Sequence, residues 1–166
     1  MAVQTTYMID HNKAYAGLAV TFEPNALFSK LNKGTTTIPY GKGVVSDGEN
    51  AARLPVAGDL DALAFNGVLM RELNRAVAGG ETSGAVPGRD ATVLSHGVIW
   101  VIARETVAKD DQVYLITSDT SDPDFAGDFS DVVSAGDRTT LLIPGAKFMT
   151  GGDTGDLVQI SLGIGG

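Results

Sequence analysis

The chain has 166 residues, of which 43% are hydrophobic and 19% charged, as expected for one folded globular domain. Its 20 acidic and 12 basic side chains give a formal net charge of -8, which argues against a nucleic-acid partner because phosphate binding needs clustered Lys and Arg. The absence of cysteine excludes disulfides, thiolate catalysis and zinc-thiolate sites. The sequence shows no secretory leader and no run of about 18 apolar residues, so we expect neither signal-peptide secretion nor a membrane span.

Residues 1–25 are predicted to form an extended arm that precedes a β-domain of residues 26–166. Thr, Asp, Asn and Gly alternate there with isolated apolar residues, and no helix or strand period is sustained. Such an arm can lie on its own domain or on a neighbour. Because exposed apolar side chains commonly anchor protein contacts, we expect the arm to bind a partner through four residues: Tyr7, Tyr15, Leu18 and Phe22.

From residue 27 onward, turn signals such as Asp47-Gly48 and Pro87-Gly88 recur at short intervals, with short β-prone runs between them. This spacing predicts a mainly β fold with little helix, either one small β-barrel or one β-sandwich. Residues 60–73 are ambiguous. They contain good helix formers in a passable helical pattern, but Asn66-Gly67 in the middle weakens a helix, so strand and helix stay open. Residues 76–88, which are rich in Gly, are predicted to form a long loop.

The strongest strand predictions follow at residues 98–102, 112–117 and 157–162. In the last of these, Val158 and Ile160 should lie on the buried face and Gln159 on the opposite one, because successive side chains of a strand alternate. Residues 140–143 and 146–149 are predicted as two strand pieces about a turn at Pro144.

Candidate catalytic and metal-binding groups are few. Ser95 and His96 cannot form a triad as neighbours on a strand, because their side chains point to opposite faces. Residues 118–128 are dense in carboxylates, but Pro123 interrupts the segment and it does not follow the EF-hand pattern; a solvated acidic hairpin loop is the main interpretation and a calcium site the alternative. Glu105 and the pair Asp110-Asp111 flank a turn, and nothing selects them as paired glycosidase carboxylates. We therefore expect no enzyme activity, no metal and no cofactor.

Several short motifs occur together in an order that carries a resemblance. Gly-Val-Ile-Trp-Val at residues 97–101, Glu-Thr-Val at 105–107 and Asp-Gln-Val-Tyr at 111–114 resemble the C-terminal half of phage head cement proteins, also called capsid decoration proteins. Other segments resemble the same family in the same order: residues 15–18, 38–45, 54–55, 65–68, 87–94, 144–148 and 157–162. Each motif is loose, and their order over nearly the whole chain makes the match specific.

The resemblance implies a mostly β protein that binds the outside of an icosahedral capsid and stabilises contacts between major capsid protein subunits. It further implies a homotrimer, a place on the virion exterior after synthesis in the host cytoplasm, and a strand at residues 65–71. A small-ligand-binding β-barrel is the alternative from another class, and an aromatic content of 7% argues mildly against a deep ligand cavity.

Overall fold

A computed structural model of the chain describes residues 14–20, 24–72 and 84–163, and these residues form a mainly β protein. The helical pieces among them are short 3₁₀ turns such as Ala62–Ala64 and Pro123–Phe125, which agrees with the prediction of little helix. None of the helices in these three ranges is long and apolar enough to cross a membrane. The strands are β1 (Ala26–Asn32), β2 (Ile38–Pro39), β3 (Gly43–Ser46), β4 (Ala51–Arg53), β5 (Phe65–Leu69), β6 (Gly84–Ala85), β7 (Asp90–Ile102), β8 (Gln112–Asp119), β9 (Phe129–Ser130), β10 (Arg138–Phe148) and β11 (Leu157–Leu162).

One continuous sheet accounts for nine of these strands, in the order β1-β4-β3-β5-β7-β11-β10-β8-β9. β1 also pairs with β7, with Leu27 opposite Leu94, and this pairing closes the first five strands of the order into a ring. At the other end Ala103, directly after β7, bridges to Phe129 of β9, so the last five strands also return to β7. The predicted mainly β fold is therefore confirmed, and of the two alternatives the sheet is barrel-like, in the form of two small closed rings that share β7.

β11 shows how the apolar pattern places the core. Val158 and Ile160 are fully buried, and Gln159 between them is half-buried, as the alternation predicts. Each fully buried aliphatic side chain of this size contributes roughly 1.5–3 kcal/mol by leaving water. The same core holds further side chains without exposed surface from the neighbouring strands, among them Ile99, Val101, Leu115, Phe129 and Phe148.

Residues 65–69 form strand β5, within the segment 60–73 for which the sequence pattern left strand and helix open. The reason is the close approach of two backbones. A Cβ built on Gly67 would lie 2.2 Å from the carbonyl oxygen of Leu94 on β7, and the φ of Gly67 is 133°. A residue with a side chain does not fit at this position. Gly67 is therefore needed for the close approach of β5 to β7, and Asn66-Gly67 does not interrupt a helix.

The segment around Pro144 is one strand and not two pieces about a turn. β10 runs from Arg138 to Phe148, and its pairing with β8 shifts register between Leu142 and Lys147. Pro144 lies within this irregular stretch and is exposed, which is where a strand tolerates a residue without an N–H donor. The prediction of a turn was therefore wrong, because the irregularity interrupts the pairing without ending the strand.

Candidate functional site

Two of the four predicted contact residues, Tyr15 and Leu18, lie in the described part of the arm. Tyr15 is 52% exposed, and the guanidinium carbon of Arg71 lies 4.9 Å from the centre of its ring. Leu18 is half-buried, and its carbonyl oxygen accepts a hydrogen bond from the Trp100 N–H at 3.0 Å. Tyr7 and Phe22 lie outside the described residues. Tyr15 is therefore the predicted residue that the structure places at the surface.

Residues 14–20 belong to the sheet of their own domain. The N–H of Gly17 donates to Trp100 O at 2.7 Å, and Ala19 forms an antiparallel bridge with Ile99 of β7. Gly17 has a φ of 81°, and a Cβ there would lie 2.8 Å from the backbone nitrogen of Gly41. Only glycine fits this contact, so the chain on either side of Gly17 is held in a fixed position.

A second exposed apolar surface, which sequence reasoning missed, lies on the loop between β4 and β5. Leu63 is 90% exposed, Leu60 62% and Val56 53%. The loop is held in place by Arg53, whose guanidinium makes two hydrogen bonds of 2.7 and 2.8 Å with the Asp59 carboxylate. We call the segment that carries these three side chains, residues 56–63, the leucine loop. Their exposure on a fixed loop is the signal of a contact surface, and the sequence gives no sign of that exposure.

Further exposed apolar side chains lie on other elements of the described chain. Leu27 and Phe28 of β1 are 43% and 53% exposed, and Val133, in the loop before β10, is 61% exposed. These residues are too far apart in the chain to form a periodic pattern. Together with Tyr15 and the three residues of the leucine loop, they are exposed apolar side chains on a protein with a net charge of -8.

The acidic segment 118–128 is a structural crosslink, and the interpretation as a solvated hairpin loop was wrong for its two buried carboxylates. Asp128, which is 1% exposed, accepts from Lys42 Nζ at 2.8 Å and from Arg104 Nε at 2.6 Å. Asp119, which is 5% exposed, accepts from Arg138 Nε at 2.9 Å and from the N–H of Ser121 at 2.9 Å. These carboxylates are satisfied by protein cations and backbone donors, as buried charges must be.

Burial and hydrogen bonding within this crosslink shift the pKa values of Lys42 and Asp119. Burial lowers the pKa of Lys42 from 10.5, although the Asp128 carboxylate opposes that shift. The hydrogen bond from the Ser121 hydroxyl, together with Arg138, lowers the pKa of Asp119 from 3.8 to about 2, against the effect of desolvation. The guanidinium of Arg104 also stacks on the Phe125 ring, with 4.2 Å from its carbon to the ring centre.

We expect Asp119→Asn to remove part of the acid sensitivity of the fold. Because the folded-state pKa lies below the unfolded one, ionised Asp119 contributes stability that is fully present above about pH 3.8 and is lost as pH falls through about 2. Thermal melting from neutral pH down to about pH 2 should show a gap between wild type and variant that narrows at the acid end. Asp137→Asn, at an exposed position in the loop before β10, is the matched control. A gap of constant size over the whole range would contradict this role of Asp119.

The other candidate catalytic groups are used in the structure as follows. Ser95 donates its hydroxyl to Ala26 O at 3.3 Å, Glu105 pairs with Arg138, and the Asp111 carboxylate accepts from the Ala108 N–H at 2.7 Å in a turn. His96 is exposed. The described residues contain no group of three or more His, Cys, Asp or Glu side chains arranged to hold a metal ion. Ser95, Glu105 and Asp111 are thus engaged in contacts that hold the fold together.

Comparison with known proteins agrees with this picture of a structural domain. The family model described as "Structural cement protein (E217 gp24/Pam3 gp6)" matches residues 3–163. No curated protein matches the chain. A chain of the solved structure titled "The capsid of Myoviridae Phage XM1" has a similar fold, with a TM-score of 0.73 and 18% identity over 99% of both chains. The match to the family model spans almost the whole sequence and agrees with the order of motifs in it, so this chain belongs to the phage structural cement proteins and serves as a cement protein of the capsid.

Proposed function

We propose that this chain binds the outer surface of a phage capsid, where it stabilises contacts between subunits of the major capsid protein and catalyses no reaction. The observation that carries the proposal is the exposure of apolar and aromatic side chains on segments that hydrogen bonds and ion pairs hold fixed. Tyr15 lies beside the Gly17 contact with β7, and Leu63 lies on the loop that Arg53 and Asp59 hold. A surface fixed before binding loses little entropy on docking.

The electrostatics of the domain support a role without catalysis. Asp128, Asp119 and Glu105 all pair with protein cations, so they are engaged in holding loops together. A general acid or base needs a carboxyl group that can exchange a proton with a substrate near the working pH, and the low pKa of Asp119 is the opposite of that requirement.

The proposed assembly is a homotrimer on the exterior of the virion, made in the host cytoplasm before it joins the shell. Closed cyclic assemblies of identical chains are the usual form of soluble oligomers, and the family resemblance favours three copies. Light scattering of the purified chain would report the number of copies. A monomer that retains a small molecule would instead favour the ligand-binding barrel.

We expect removal of residues 1–13 to weaken binding to expanded empty shells by about tenfold or more, because the proposed arm contact includes Tyr7. The truncation stops before residue 14 because residues 14–20 pair with β7 and their loss would damage the sheet. Cosedimentation with shells of the major capsid protein measures the affinity, and the melting temperature reports whether the truncated domain stays folded.

Two outcomes of this experiment count against different parts of the proposal. Unchanged affinity of the truncated chain would reject a contact by residues 1–13 and leave the cement role intact. A full-length chain that stays in the supernatant with every shell preparation would reject capsid binding itself.

A further inference from the structure

Arg71, two residues past the end of β5, is held between two tyrosine rings. Its guanidinium carbon lies 4.9 Å from the ring centre of Tyr15 and 5.7 Å from that of Tyr40. Tyr40 packs against the core, whereas Tyr15 is 52% exposed. The N–H of Arg71 donates to Gly17 O at 2.7 Å, so the backbone that carries the side chain is also fixed. The guanidinium group is therefore in a defined place at the surface of the domain.

Arg71 differs from the other arginines that the fold holds in place. Arg53, Arg104 and Arg138 each donate to a carboxylate, at 2.7, 2.6 and 2.9 Å respectively. Arg71 has no carboxylate partner among the residues in ranges 14–20, 24–72 and 84–163, and the neighbouring Glu72 accepts instead from the Thr92 hydroxyl at 2.6 Å. In a chain with 20 acidic side chains, a fixed arginine without a carboxylate partner leaves its donors available to another molecule.

The chemistry of this group selects a carboxylate as its partner. A guanidinium presents N–H donors in a planar fork that matches two carboxylate oxygens, and stacking on aromatic rings keeps the fork in one orientation. The guanidinium carbon of Arg71 lies within about 6 Å of both ring centres, and a cation placed over an aromatic face is attracted to it. A nucleic acid would need several clustered cations and would be repelled by a net charge of -8, whereas one carboxylate needs only one fixed cation.

We propose that Arg71, held between Tyr15 and Tyr40, binds a carboxylate side chain of the major capsid protein. This inference rests on the proposed function and deepens it, since it names a docking point and the chemistry of the group that occupies it. Arginine and tyrosine are among the residue types that most often dominate binding energy at protein interfaces.

The first test compares Arg71→Met with Arg89→Met in full-length protein by cosedimentation with expanded empty shells. Both changes remove one positive charge. The side chain of Arg89 is exposed, and the hydrogen bonds of this residue are made by its backbone. We expect Arg71→Met to lower shell affinity by about tenfold or more and Arg89→Met to leave it unchanged. Equal affinity of Arg71→Met and wild type would overturn the docking point, while wild-type binding would still support the cement role.

A second test does not depend on the fold tolerating Arg71→Met. Arg71→Lys places an amine in the same position, and a zero-length carbodiimide should couple it to the proposed carboxylate when the variant is bound to shells. Mass spectrometry should find the link to an Asp or Glu of the major capsid protein, with none for Arg89→Lys. A link only within this chain, or no link in shell-bound protein, would overturn the proposal.

Discussion

Replacing Ile160 by Lys is expected to abolish the folded domain. Ile160 has no exposed surface and lies in β11 between Ile99 of β7 and Phe148 of β10, at the centre of the apolar core. A lysine there would lose the burial of the isoleucine, roughly 2–3 kcal/mol, and would force an unpaired ammonium group out of water at a cost of several kcal/mol more. That sum is comparable to the whole stability of a domain, about 5–15 kcal/mol.

The matched control is Gln159→Lys, which introduces the same side chain one position earlier in the same strand. Gln159 lies on the opposite, half-buried face, so its replacement should shift stability by no more than about 1 kcal/mol. Circular dichroism and size-exclusion chromatography of both variants measure the outcome. A folded Ile160→Lys variant with the melting temperature of the wild type would contradict the placement of the core.

Replacing Asp128 by Asn is expected to destabilise the domain by about 3–5 kcal/mol. The carboxylate of Asp128 serves two cations at once, Lys42 at 2.8 Å and Arg104 at 2.6 Å, and is itself 1% exposed. An amide in its place leaves the charge of Lys42 buried without its partner, and burial already lowers the pKa of that lysine. We also expect a looser junction between the two rings of the barrel, because Lys42 precedes β3 and Arg104 follows β7.

Asp137→Asn makes the same chemical change at an exposed carboxylate on the loop before β10 and should cost no more than about 0.5 kcal/mol. Chemical denaturation of the two variants and the wild type gives the free energies of unfolding directly. Equal values for Asp128→Asn and Asp137→Asn would show that the crosslink contributes nothing to stability.

The strands that could be predicted are those whose own side chains decide their structure. In β11 and β8, apolar residues alternate with polar ones, and the buried side chains of Val158, Ile160 and Val113 follow that pattern. The mainly β class also followed from the frequency of turn signals, because short strands with tight turns leave a barrel or a sandwich as the ways to bury one face. Neither signal depends on knowing which strands are neighbours.

Elements that were predicted wrongly, or left open, depend on a partner strand. Residues 60–73 contain good helix formers, yet residues 65–69 among them are a strand because Gly67 brings the backbone of β5 against Leu94 on β7. The irregular stretch at Pro144 interrupts the pairing of β10 with β8 without ending the strand. Residues 98–102 of β7 were predicted as a strand, but its full length, Asp90–Ile102, was not, because its two ends pair with different sets of neighbours.

The candidate site was less predictable than the fold, for the same reason. The isolated apolar residues of the arm predicted Tyr15 as an exposed aromatic residue, but the residue that its ring contacts, Arg71, lies far from it in the sequence. The carboxylates of Asp119 and Asp128 look like those of a solvated loop in sequence, and only the positions of Arg138 and Lys42 make them internal. Charge counting cannot distinguish a paired from an unpaired group, which is a property of the tertiary structure.

Binding of the full-length chain to expanded empty shells of the major capsid protein is the measurement that tests the cement role most directly. We expect saturable cosedimentation, together with a higher temperature of disruption for decorated shells than for bare ones, because a ligand that binds only the assembled state stabilises that state. Shells that bind none of the folded protein, or that fall apart at the same temperature with and without it, would refute the cement role.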